Sequence, residues 1–178
     1  MKKLCWLMML PLLLAACSAP EAPKAPEPAA FTPQPYANLV QVMRTFPFPN
    51  SNIIFDTQST DPAAPKKATG GDNASSQYGS VYAGWEAVES SSMAIAETAN
   101  LIMVPGRLCS NGKPVPVERE DYKKFAMALV DAGKASLEAA KTKNMDKMVE
   151  VSGTLSDACL NCHMVYRDKP DLKDRCIP

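Results

Sequence analysis

The sequence predicts an all-α protein, arranged as an antiparallel up-down four-helix bundle. Four segments show helical apolar periodicity, and they follow a proline-rich N-terminal stretch. Their connections are short apart from one long loop after the first helix, and neither an internal repeat nor a βαβ alternation occurs. The residues assigned to the bundle, 36–178, are enough for one domain with a real core.

The first 16 residues are predicted to be a lipoprotein signal peptide. Lys2 and Lys3 form its charged region, and the apolar run that follows is too short to cross a bilayer permanently. The residues before Cys17 resemble a bacterial lipobox, which would make Cys17 the lipidated N-terminus of the mature chain. Ordinary cleavage that leaves Cys17 free is the alternative.

Residues 17–35 are predicted to form a tether. Its prolines alternate with Ala, Glu and Lys, a composition that favours extended polyproline II and cannot build a core. At about 3.1 Å per residue, the tether could hold the domain up to roughly 55 Å from the lipid. Lipidation would place the domain in the periplasm, and Ser18, where an Asp would signal retention, favours the outer membrane over the inner.

The charge of the chain is balanced, with 19 basic and 19 acidic side chains. Loss of the two signal-peptide lysines would leave a mature net charge of about −2, and nothing in this charge pattern suggests nucleic acid.

The first helix is predicted over residues 36–46, and Pro47 and Pro49 are expected to end it. Residues 47–75 are then a long loop, in which 52–56 is either a short strand or a buried extended segment. The apolar stripe of this helix comprises Leu39, Val40, Met43 and Phe46.

The other three helices are predicted over 76–104, over 117–141 and from Asn144 to just before Pro170. Pro105-Gly106 ends the second helix. Acidic residues suit the N-terminal dipole of the third helix, and Asn144 is a plausible N-cap for the fourth. The face of the fourth helix carries Met148, Val149, Ser152, Leu155, Cys159, Cys162, His163 and Tyr166.

The run Cys159-Leu160-Asn161-Cys162-His163 has the spacing of a c-type haem attachment site. Two thiols three residues apart can form thioethers to two haem vinyl groups, and the next residue supplies an imidazole to the iron. His163 is the only histidine in the chain. The sequence therefore predicts one covalent haem c near the end of the last helix, with His163 as its proximal ligand.

The same cysteines could instead form a redox dithiol, half of a zinc site or a structural disulfide. A zinc site needs about four ligands, and the remaining cysteines form no second pair at recognisable spacing. A thioredoxin-like dithiol belongs to a βα pattern that this chain lacks. The export signal agrees with haem.

Cys109 and Cys176 are predicted to form a disulfide. The other four cysteines are assigned to the signal peptide, the lipid and the haem, so this pair remains in an oxidising compartment. In an up-down bundle the second and fourth helices end on the same side, and each of these cysteines follows one of those ends.

The early part of the first helix is expected at the same end as His163. Because no second histidine exists, Met43 is the candidate distal axial ligand. Alternatively, Met43 packs in the core, or Leu39 and Val40 cover an open iron. Arg44 could reach a haem propionate or remain a solvated surface residue.

The stretch Asp157-Ala-Cys-Leu-Asn-Cys-His-Met-Val-Tyr-Arg167 resembles the cytochrome c prime family, four-helix bundles with Cys-x-x-Cys-His-x-x-Tyr-Arg/Lys on the last helix. The likeness covers roughly 118–167. It implies that Cys159 and Cys162 bind the haem, that Tyr166 packs beside the site and that Arg167 neighbours the proximal imidazole. Typical members dimerise through their first two helices, so the resemblance also allows a homodimer.

The predicted function is that of a membrane-tethered c-type cytochrome that passes single electrons to a redox partner protein in the periplasm. The alternative is a five-coordinate haem protein that binds nitric oxide or carbon monoxide. A structural lipoprotein without haem is a third reading, in which Cys159 and Cys162 form a disulfide. An enzyme is not predicted, since peroxidase-type chemistry needs a polar distal base and no second histidine is present.

Overall fold

All regular structure in the described part of the chain is helical. The computed structural model describes residues 32–64 and 83–178, and within them no strand forms, apart from one isolated bridge between Leu108 and Pro114. The all-α prediction is confirmed for these residues. The predicted signal peptide, Cys17, most of the tether and residues 76–82 of the predicted second helix lie outside them.

Two short helices follow each other where the sequence predicts one helix and the start of a loop. Helix α1 spans Leu39–Thr45 and helix α2 spans Pro47–Asp56, with Phe46 between them. Asn38 caps α1 with a reciprocal pair of hydrogen bonds. Its side chain accepts from the Gln41 backbone N–H at 2.9 Å, while the Gln41 side chain accepts from the Asn38 N–H at 2.9 Å.

The prediction that Pro47 opens a loop, with a strand or extended segment at 52–56, is wrong. Pro47 and Pro49 both lie in the first turn of α2. Backbone N–H groups there have no partner within the helix, so proline removes no hydrogen bond and its fixed φ favours the turn. Ile54 is fully buried as a helical residue.

The set of apolar residues predicted to face the core from the first helix is partly wrong. Val42 is the buried residue of α1, and Phe46 lies outside the helix with 41% of its surface exposed. Leu39 and Met43 are half-buried and pack against the edge of the core. The face of α1 is therefore divided between the core and a neighbouring cavity.

The three longer helices lie within their predicted segments, but the predicted starts at 76 and 117 are too early, because Ala83 and Arg119 are extended N-cap residues. Helix α3 spans Gly84–Ile102, α4 spans Glu120–Lys141 and α5 spans Met145–Tyr166. Asn144 caps α5 by accepting from the Lys147 N–H at 3.0 Å, as the sequence predicts. A short 3-10 turn, Leu172–Asp174, follows α5.

The helices pack as a bundle. Helix α3 packs on α4, α4 packs on α5, and α2 lies against α3 and α5. Helices α3 and α4 come close together at Gly133, because this residue has no side chain. A Cβ added there would lie only 2.6 Å from the backbone nitrogen of Ala96. The fully buried core residues include Ile54, Ile95, Ala132, Ala140, Met148 and Leu155.

None of the helices in residues 32–64 and 83–178 is both long enough and apolar enough to cross a membrane.

Candidate functional site: an apolar cavity beside helix α5

A cavity of about 470 Å³ opens between α1, α2 and α5. Its volume lies within the range of about 300–1,000 Å³ that small-molecule and cofactor sites occupy. The ends of α3 and α4 and the segment after α5 complete the walls. Most of the lining is apolar, and the apolar contributions from α1 to α4 are Leu39, Val40, Met43, Pro47, Phe48, Phe55, Ile102, Phe125 and Leu129.

Helix α5 presents the haem-type motif to this cavity. Cys159, Cys162 and His163 all line it, as do Tyr166 and Arg167. These positions follow the i, i+3, i+4, i+7, i+8 spacing that places side chains on one helix face. The spacing by which the motif is recognised in the sequence therefore also brings its two thiols and its imidazole to the same cavity.

Helix α1 contributes the predicted distal residues. Leu39, Val40 and Met43 line the same cavity, and so does Arg44. Among the described residues, Met43 is the one methionine in its lining. Met148, by contrast, is fully buried in the core away from the lining. Met43 is thus the methionine that shares a space with His163.

Helix α2 supplies a wall that the sequence reading missed. Phe48, Ser51, Asn52 and Phe55 line the cavity from this helix. They follow the spacing i, i+3, i+4, i+7, so a helical signal was present in the sequence. Pro47 and Pro49 hide this helical spacing, because a proline is normally interpreted as a helix breaker.

Burial sets the protonation of the motif residues. It raises the pKa of the Cys159 thiol and, together with the neighbouring Cys159 thiol, raises the pKa of Cys162 to about 11. Nucleophilic redox dithiols have the opposite shift. Burial, and secondarily the Arg167 charge, lowers the pKa of His163, which favours the neutral imidazole that binds metals.

Tyr166 is held firmly beside the motif. Its ring packs edge-to-face on Tyr122 and Phe125, with centroid distances of 5.3 and 6.2 Å. Its hydroxyl accepts a hydrogen bond from Arg119 Nε at 3.2 Å, and Arg119 also pairs with Asp121 at 3.0 Å. The end of α5 is therefore anchored to the start of α4.

Cys109 and Cys176 lie at disulfide distance, with Cα atoms 6.5 Å apart, as predicted. Both line the cavity. The Cys176 N–H donates to the Tyr166 carbonyl oxygen at 2.8 Å. The cross-link therefore closes the cavity wall with the segment that follows α5.

The charged residues of the lining are all cationic. They are Arg44, Arg167 and Arg175, and no carboxylate from residues 32–64 or 83–178 lines the cavity. Arg167 pairs with Asp168 at 2.7 Å. An apolar space with guanidinium groups at its wall suits a ligand that is largely apolar and carries anionic groups.

The donor set fits haem c better than zinc. In the described ranges, His, Cys, Asp and Glu form no group of three or more that could hold a metal ion directly. Two thiols, one imidazole and one thioether around an apolar space are instead the groups that would hold a covalently attached haem. Cys159, Cys162, His163 and Met43 would be those residues.

Comparison with models of known protein families, with curated proteins and with solved structures finds no match for this chain.

Proposed function

We propose that this chain is a c-type cytochrome of the cytochrome c prime kind, tethered to a membrane and transferring single electrons in the periplasm. The observation that carries the proposal is the convergence of Cys159, Cys162 and His163 on one apolar cavity that also receives Met43. Thioether, imidazole and apolar wall are the elements by which proteins bind haem c and set its potential.

Cys159 and Cys162 would hold the haem through two thioethers, and His163 would bind its iron. The bound haem would supply an iron that cycles between Fe(II) and Fe(III). The apolar side chains from α1 and α2 would pack against the bound haem and shield it from water. A low-dielectric site of this kind favours the less charged state of whatever it encloses, so these walls act on the potential.

Met43 decides which chemistry the site performs. Its thioether as sixth ligand would raise the reduction potential and close the iron to small molecules, which suits electron transfer. The alternative function is binding of nitric oxide or carbon monoxide by a five-coordinate haem. This alternative is supported by Leu39 and Val40, which line the same cavity and could cover an open iron.

The antiparallel up-down order belongs to the same proposal. Tyr122 at the start of α4 places its hydroxyl 3.5 Å from the carbonyl oxygen of Ile102 at the end of α3. The same tyrosine contacts Tyr166 at the end of α5. Both contacts support antiparallel neighbours.

The membrane attachment is proposed from the sequence of residues 1–18. Cys17 would carry the lipid, and the outer membrane is favoured over the inner. An electron-transfer role requires a redox partner protein in the periplasm. A homodimer is compatible with it, and a nucleic-acid partner is not part of the proposal.

A matched pair of methionine variants tests the function. Met43→Leu removes a thioether at nearly constant volume, and Met103→Leu does the same at a residue outside the cavity lining. We expect sharp low-spin bands in the reduced wild type and in Met103→Leu, and a high-spin spectrum in Met43→Leu.

The same spectra separate the two functions. A high-spin wild type that binds carbon monoxide readily would favour the ligand-binding alternative and contradict the role of Met43. Mature protein without haem absorbance would contradict both.

A further inference from the structure

Arg175 lies at the cavity wall with an unsatisfied donor. Its Nε is buried and has no hydrogen-bond partner among the described residues. Of the three cavity arginines, Arg167 pairs with Asp168, whereas the ion pairs formed in the described ranges include neither Arg44 nor Arg175. The Arg175 Nε is shielded from the cavity as well as from bulk solvent, so the guanidinium can meet a ligand there only through its two Nη groups.

The segment that carries Arg175 is held in place from several sides. The Asn111 side-chain amide donates to the carbonyl oxygens of Leu172, Lys173 and Arg175 at 3.2, 3.1 and 2.9 Å. The next residue, Cys176, donates its N–H to Tyr166 and lies at disulfide distance from Cys109. Arg175 is therefore presented to the cavity by a fixed loop.

The backbone at Cys176 supports this view. Its φ of +64° lies in the left-handed region, which residues other than glycine rarely adopt. Such a conformation persists where the surrounding contacts determine it, and these positions concentrate at functional sites. Arg175 and Cys176 both line the cavity at this turn.

We propose that Arg175 binds one of the two propionate carboxylates of the haem. This inference rests on the proposed function. Haem is an apolar macrocycle with two carboxylates. The cavity is apolar, and the charged side chains that the described part of the chain adds to its lining are arginines. The two Nη groups of a guanidinium lie in one plane and can donate two parallel hydrogen bonds to a carboxylate. Arg44 remains available for the second propionate.

The test is a pH titration of the haem absorption spectrum in Arg175→Gln. An opposite charge within about 4–6 Å lowers the pKa of a carboxyl group by about 1–3 units. Removal of the guanidinium should therefore raise the propionate pKa by about 1–3 units. Arg175→Lys keeps a charge but loses the planar pair of donors, so its propionate pKa should fall between those of the wild type and Arg175→Gln.

Lys173→Gln is the matched control. Lys173 is a cation of the same segment, but it pairs with Asp171 at 3.1 Å and does not line the cavity. Its replacement should leave the titration unchanged. A titration of Arg175→Gln that matches the wild type, or a shift of equal size in Lys173→Gln, would overturn the proposal.

Haem content, measured by intact mass on the same samples, separates this inference from the proposed function. A wild type without covalent haem defeats both. Haem in every variant together with an unchanged titration defeats the role of Arg175 alone. If Arg175→Gln does not mature, Arg175→Lys decides the matter, since a wild-type propionate pKa in that variant contradicts two-point binding by the guanidinium.

Discussion

The contact between α3 and α4 and the wall of the cavity are held together by different means. At the first, Gly133 lets the helices approach until their backbones touch near Ala96, and fully buried small residues such as Ala132 leave no space between them. At the second, side chains leave about 470 Å³ unfilled. There the chain is fixed by the cross-linked Cys109 and Cys176 and by the hydrogen bonds of Asn111.

The difference shows which contact of the fold can be specified by side-chain packing alone. Shape complementarity alone can specify the α3–α4 contact. The cavity wall cannot be specified in that way, because its inner surface faces a space and not another side chain. Around the cavity, bonds between distant parts of the chain therefore hold the structure where packing does not.

The largest expected effect comes from removing the cross-link. The loop between Cys109 and Cys176 spans 67 residues. A closed loop of that length is expected to contribute about 4 kcal/mol by restricting the unfolded chain. The double variant Cys109→Ser/Cys176→Ser should therefore lose about 4 kcal/mol of unfolding free energy, measured by guanidinium denaturation.

Wild type treated with reductant serves as the control and should resemble that double variant. Denatured, unreduced wild type should show no free thiol at either position. Unchanged denaturation midpoints, or two reactive thiols, would mean that the cavity wall is not held covalently.

A pair of glycine variants tests the packed contact. Gly133→Ala would place a methyl group 2.6 Å from the Ala96 backbone nitrogen, so a helix must shift, and overpacking of this kind costs about 1–3 kcal/mol. Gly153→Ala, within α5, meets nothing within 4 Å and should stabilise the helix by about 0.5–1 kcal/mol. In urea denaturation, the unfolding free energy should fall in Gly133→Ala and rise in Gly153→Ala. A change of the same sign in both variants would contradict the close contact.

The smallest effect concerns the cap of α1, the helix that carries Met43. Asn38→Ala removes the side-chain acceptor for the Gln41 N–H and should lower the unfolding free energy by about 1 kcal/mol. Asn38→Ser keeps an acceptor and should lie close to wild type. If thermal denaturation shows that both variants lose the same stability, the cap does not hold this side of the cavity.

The three long helices and the motif on α5 could be predicted because their signals are local. Helical periodicity needs only one segment of chain, and Cys159, Cys162 and His163 lie within five residues. Helix α2 was missed although Phe48, Ser51, Asn52 and Phe55 repeat with helical spacing. A proline in the first helical turn and a proline that breaks a helix look the same when the start of the helix is unknown.

Arg175 could not have been assigned from the sequence. The arginine reaches the cavity only because Asn111 and Cys109, more than 60 residues earlier, fix the loop around it. Pairing of Cys109 with Cys176 was predictable by elimination, since the other cysteines had assignments. No comparable elimination exists among the many cationic side chains of the chain.

We propose that the cavity holds a covalently attached haem. Intact-mass measurement of protein matured in cells that attach haem c, under denaturing conditions, tests it most directly. We expect a mass increase of one haem that survives denaturation and disappears in Cys159→Ser/Cys162→Ser. A folded wild type without added mass, with Cys159 and Cys162 recovered as thiols or as a disulfide, would contradict it.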